Sequence, residues 1–140
     1  MSRGLLAGCL VAYTGASLLH FAHNATFLAA YPNLPASITV ARIYGAWAGL
    51  ALLGASGALL VRLGYLRAGR SLIAIYGAFG LDGFAHYLRA PMSHHAPMMN
   101  ATIWFEAITG TLLVLVALRV GATFSSQSQF KTQSSRSSQT

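Results

Sequence analysis

The sequence predicts an all-α integral membrane protein, a bundle of four transmembrane helices, and three observations support this prediction. The chain has 140 residues, of which 55% are hydrophobic and only 8% are charged. A soluble domain has about 25% charged residues, so the composition indicates a membrane protein. Four apolar runs are each close to the roughly 20 residues that a helix needs to cross a bilayer. Gly, Ala and Ser are frequent inside these runs, and small residues let helices pack closely in lipid.

The predicted transmembrane domain occupies residues 1–122 and is followed by a tail at 123–140. Its helices are expected at about 4–23, 43–62, 71–89 and 101–119. The tail is rich in Ser and Gln and poor in apolar residues, a composition that predicts disorder.

A weak internal repeat suggests that the four helices form two tandem hairpins. The pattern Y-x4-L-x2-F-A-H begins at Tyr13 and again at Tyr76, a displacement of 63 residues. Parallel repeats of this kind are related by an axis along the membrane normal. The repeat would place His23 and His86 at equivalent depths.

The basic residues predict the orientation of the chain in the membrane. One side would carry seven Lys and Arg residues and the other only Arg42 and Arg89. Because cytoplasmic loops are enriched in basic residues, both termini are predicted to be cytoplasmic. The connections at 24–42 and 90–100 would then lie on the outer side. The formal charge of +7 is explained by this topology and does not indicate nucleic-acid binding, because no basic helix face with interleaved aromatic residues is present.

With this topology, all five histidines and both acidic residues fall in the outer half of the membrane domain. An ionisable side chain inside a membrane is costly unless it is paired or faces a cavity, so such a residue is a functional candidate. Asp82 and His86 are four residues apart and would share a helix face. A carboxylate in that position could orient the imidazole.

These residues predict a transition-metal site, with copper or zinc preferred, because imidazoles and carboxylates are ligands for both. The proposed deep ligands are His20, His23, Asp82, His86 and Glu106. The segment MSHHAPMM would supply outer-loop ligands, since thioethers favour Cu(I). These outer candidates are His94, His95, Met92, Met98 and Met99.

Three alternatives are compatible with the same residues. A haem b group could be held by His23 and His86, because facing helices of a bundle form such cofactor sites. Asp82, His86 and Glu106 could instead act as general acid and base on a lipid-soluble substrate, which would make the protein an enzyme. In the third alternative the polar residues only join the helices of an accessory subunit. The expected partners are the lipid bilayer and other membrane subunits or further copies of the chain.

Overall fold

In the computed structural model, helices are the only regular secondary structure over residues 3–137, which are the residues that the structure describes, with side chains described for 4–119. Its α-helices are α1 (Arg3–Thr26), α2 (Val40–Arg62), α3 (Leu66–Ala78), α4 (Ala85–Arg89) and α5 (Pro97–Ser137). Short 3-10 helices occupy Leu28–Ala30, Phe79–Phe84 and Met92–His94. Three stretches are long and apolar enough to cross a membrane, namely Gly4–Thr26, Val40–Arg62 and Pro97–Arg119.

The helix predicted at 71–89 is interrupted, and this is the main departure from the predicted bundle. The segment Leu66–Arg89 consists of α3, a 3-10 helix and α4 in direct succession. Gly77, Gly80 and Gly83 recur at every third residue and are all buried. Residues three apart lie on one face of a 3-10 helix, so this spacing presents glycine to the neighbouring helix at each turn.

These glycines bring the segment into backbone contact with α5. A Cβ atom on Gly77 would lie 2.9 Å from the carbonyl oxygen of Gly110, and one on Gly80 would lie 2.9 Å from that of Glu106. Small residues permit such close approach in membrane helices. The packing therefore places Glu106 directly against the 3-10 helix.

Two helix boundaries differ from those that the sequence predicts. Helix α1 continues to Thr26, so Asn24 is helical and does not belong to the following loop. Helix α5 begins at Pro97, a residue well suited to the first helical position, so Met98 and Met99 lie in its first turn. Only residues 27–39 and 90–96 connect the long helices at this end.

Helix α5 also continues beyond its apolar part to Ser137, through most of the segment predicted to be disordered. The sequence has no Pro after residue 97 and no Gly after residue 121 that would end the helix. The last three residues of the predicted tail, 138–140, lie outside the described residues.

Helix α1 packs against α5 and α2, and α3 packs against α2 and α5. The rings of Tyr13 and Tyr76 meet edge-to-face, with centroids 4.7 Å apart, so the first residues of the two repeat units lie at matching depth. Both rings belong to an apolar core formed by side chains of α1, α3 and α5. The other buried members of this core are Leu6, Ile73, Ala74, Leu113 and Ala117.

Candidate functional site

The candidate site is built on a polar stripe along α1. Tyr13, Ser17, His20 and Asn24 follow one another at spacings of four, three and four residues, which places them on one helix face. Tyr13 and Ser17 are completely buried, and His20 is 2% exposed. The stripe faces α5 and the segment Leu66–Arg89, so it forms the polar interior of this half of the molecule.

His20 is oriented by a threonine on α5. The Nδ1 atom of His20 lies 3.3 Å from the hydroxyl oxygen of Thr102, which donates its own proton to the carbonyl oxygen of Met99 at 3.0 Å. The Thr102 oxygen is therefore the acceptor, and we assign the proton of His20 to Nδ1. This tautomer leaves a lone pair on Nε2, directed away from Thr102.

The amide of Asn24 joins His20 to His86. Its nitrogen lies 3.1 Å from Nε2 of His20 and 3.4 Å from Nε2 of His86. An amide NH2 group donates two hydrogen bonds, so both imidazoles accept and both are neutral. The two Nε2 lone pairs thus converge on one position, which the amide nitrogen occupies.

Glu106 approaches Nε2 of His20 from α5. Its Oε2 atom lies 3.7 Å from Nε2 of His20, and the residue is 1% exposed. A Cβ atom on Gly83 would lie 3.7 Å from both of these atoms, so the missing side chain leaves the gap between them open. Because Nε2 of His20 is an acceptor, we assign a proton to the carboxyl group of Glu106, so that two acceptors do not face each other.

Tyr31, from the loop after α1, covers the site. Its ring packs against His86 with centroids 4.8 Å apart, and its hydroxyl lies 2.8 Å from Nδ1 of His23. Burial raises the pKa of Tyr31 to about 12, so the hydroxyl keeps its proton at neutral pH and can donate to His23. The loop is attached to the bundle by Asn33, whose amide donates to the carbonyl oxygen of Arg89 at 2.9 Å.

His95 lies at the edge of this cover. Its ring centroid is 6.2 Å from that of His86 and 5.5 Å from that of Tyr87. Its Nδ1 atom donates to the carbonyl oxygen of Pro91 at 3.1 Å, which leaves Nε2 as an acceptor. That Nε2 atom is buried and has no hydrogen-bond partner within the described part of the chain.

Several predicted site residues lie apart from this cluster. Asp82 is exposed and forms no ion pair with His86 among the described residues, because a separation of four does not preserve the face in a 3-10 helix. His94 is exposed, and so are Met92 and Met98 at 51% and 62%. Met99 is 3% exposed, and its carbonyl oxygen holds Thr102.

The predicted ligands therefore do not form a complete metal site in this arrangement. Among residues 3–137, no three His, Cys, Asp or Glu side chains are placed to hold a metal ion. For the haem alternative, the ring of Tyr31 packs against both His23, at 5.9 Å between centroids, and His86. A porphyrin bound by these two histidines would have to displace Tyr31.

Sequence reasoning missed Asn24, Tyr31 and Thr102, which connect or cover the histidines. The stripe from Tyr13 to Asn24 was a detectable signal for Asn24, because polar residues at helical spacing in an apolar run indicate a buried polar face. The contributions of Tyr31 and Thr102 depend on contacts with other parts of the chain and have no local signal.

Comparison with known proteins finds no matching family model, and no curated protein or solved structure shows significant similarity to this chain.

Proposed function

We propose that the chain is a membrane protein with four membrane-crossing segments that binds one transition-metal ion, zinc or copper, through His20, His86 and Glu106. The observation that carries this proposal is the convergence of two imidazole Nε2 atoms on the amide nitrogen of Asn24, at 3.1 and 3.4 Å. The interrupted segment Leu66–Arg89 is the fourth membrane-crossing segment in this proposal.

The chemistry of the converging atoms favours a cation. Once Glu106 releases its proton, two neutral imidazoles and a carboxylate present only acceptors, and these are ligands that suit zinc and copper. Thr102 holds Nδ1 of His20 and so acts as the outer partner that orients a metal-bound histidine. The unpartnered Nε2 atom of His95 is available as a further ligand.

Metal binding requires the amide of Asn24 to leave its position. Zinc–nitrogen bonds are about 2.0–2.1 Å long, so the imidazoles would also move closer to the common point than they are to the amide nitrogen. In the described arrangement the amide of Asn24 satisfies the two lone pairs. The oxygen of the Asn24 amide is buried without a hydrogen-bond partner in the described chain, so little holds the amide in place on that side.

The test is metal content and affinity of the purified full chain in detergent. We expect about one zinc or copper ion per wild-type chain and at least about tenfold weaker binding by His86→Ala, because one of two nitrogen ligands is lost. His94→Ala and Asp82→Asn are matched controls at exposed positions and should bind as the wild type does.

Equal metal binding by wild type and His86→Ala would disprove the site. A folded, metal-free wild type would favour the accessory-subunit alternative, and a Soret absorption band in the same preparation would favour haem.

We further propose that the site opens toward the outer side and that both termini are cytoplasmic, because seven of the nine basic residues lie at the opposite end. In a Cys9→Ser background, His94→Cys should react with a membrane-impermeant maleimide on intact cells. Arg67→Cys should react only after permeabilisation. Both positions are exposed, so accessibility differs only by side of the membrane. The reverse labelling pattern would invert the topology.

A further inference from the structure

The end of the molecule opposite the histidine site contains an apolar cleft with a single cationic side chain. The cleft has a volume of about 210 Å³. Its walls are Leu6, Ala7 and Leu10 of α1 and Ala58, Val61 and Arg62 of α2, and Ile73 of α3 lies at its floor.

The cleft exists because α2 is held against α3 more closely than against α1. A Cβ atom on Gly69 would lie 2.7 Å from the backbone nitrogen of Val61, so α2 and α3 are in backbone contact beside the cleft. On α1, the Cβ position of Gly8 has no atom within 4 Å. The alanines Ala7 and Ala58 leave the remaining space between the two helices unfilled.

The charge around the cleft is entirely basic. Arg62 is exposed and is the last residue of α2, at the boundary of the membrane span Val40–Arg62. Arg67 follows in the first turn of α3 and is also exposed. The only acidic residues of the chain, Asp82 and Glu106, are in the other half, so no carboxylate competes for Arg62.

We propose that this cleft binds one anionic phospholipid, independently of the metal-site proposal. An acyl chain lies between α1 and α2 over Ile73, and the phosphate of the headgroup pairs with Arg62. An arginine at the mouth of an apolar cleft between membrane helices has the charge and depth that recognise such headgroups. The guanidinium matches phosphate geometry with two parallel hydrogen bonds.

The experiment compares binding of phosphatidylglycerol and phosphatidylcholine with identical acyl chains to the full protein in mixed micelles, measured by native mass spectrometry. The wild type should prefer phosphatidylglycerol by about fivefold, the effect of one basic residue at the headgroup. Arg62→Gln should lower this preference to nearly equal binding of the two lipids. Arg119→Gln is the matched control, because Arg119 is exposed at the same end but does not line the cleft.

Filling the cleft tests the acyl-chain part of the proposal. Ala7→Phe should weaken binding of both lipids, and Ala58→Phe should do the same. Neither substitution removes an arginine, so a loss would come from filling the cleft. Ala7 is exposed, so its variant should fold even if the substitution at Ala58 does not. Equal losses in Arg62→Gln and Arg119→Gln, or unchanged binding in Ala7→Phe, would overturn the proposal. Inorganic phosphate that competes as strongly as lipid would also overturn the proposal. Binding would then depend on the phosphate of the headgroup alone, and the cleft would contribute nothing.

Discussion

Replacing Gly110 by valine is expected to destabilise the helical domain strongly. A Cβ atom at position 110 would collide with the carbonyl oxygen of Gly77 and would lie 3.1 Å from both Cα of Gly80 and Cε2 of Tyr13. Two of these neighbours are backbone atoms, which cannot rotate away as a side chain can. Helix α5 and the segment Leu66–Arg89 would have to separate.

Overpacking a core typically costs about 1–3 kcal/mol, and a backbone contact belongs at the upper end of that range. We expect the midpoint of thermal unfolding to fall by about 10 °C or more, measured by circular dichroism in detergent. Gly49→Val is the matched control, because Gly49 lies in the span of α2 and its Cβ position has no atom within 4 Å. A similar midpoint for Gly110→Val and the wild type would contradict the close packing of these helices.

The same variant should also damage the histidine site, because the glycine contacts position α5. Glu106 lies one turn from Gly110, and its carbonyl oxygen is against Gly80. A shift of α5 would move Glu106 and Thr102 together away from His20. Loss of metal binding in Gly110→Val with retention in Gly49→Val would link the site to this packing.

Replacing Asn24 by aspartate is expected to strengthen metal binding. The wild-type amide nitrogen is a donor that occupies the position on which both Nε2 lone pairs converge. A carboxylate there is itself a metal ligand and no longer competes as a donor. We expect zinc affinity to increase at least about tenfold, or about 1.4 kcal/mol, when measured by calorimetry at pH 8. Alkaline pH is chosen because an aspartate beside two imidazoles favours their protonated form, which opposes metal binding.

Asn33→Asp provides the control for added negative charge. Asn33 is exposed in the loop and donates to the carbonyl oxygen of Arg89, away from the converging nitrogens. An affinity unchanged by Asn24→Asp, or raised equally by Asn33→Asp, would show that the convergence at Asn24 does not mark a metal position.

The sequence alone determined that the protein is helical with apolar segments long enough to span a membrane, and it placed the candidate residues in one half of the chain's predicted topology. Hydropathy and charge are local properties, so apolar runs long enough to span the membrane and the one-sided set of histidines and acids can be read from the chain. His20, His86 and Glu106 were predicted on this basis, and the structure brings them to the same interior.

Only the tertiary structure decided which candidates face that interior. The glycines at 77, 80 and 83 coincide with a 3-10 helix that contains Asp82. Residues four apart do not share a face in a 3-10 helix, so Asp82 is exposed and does not lie on the same face as His86. His94 and His95 are adjacent in sequence, yet one is exposed and the other is buried against Tyr87. Asn24, Thr102 and Tyr31 join the site through contacts with distant residues. Periodicity within one segment cannot predict such contacts, because they depend on how separate helices and loops pack together.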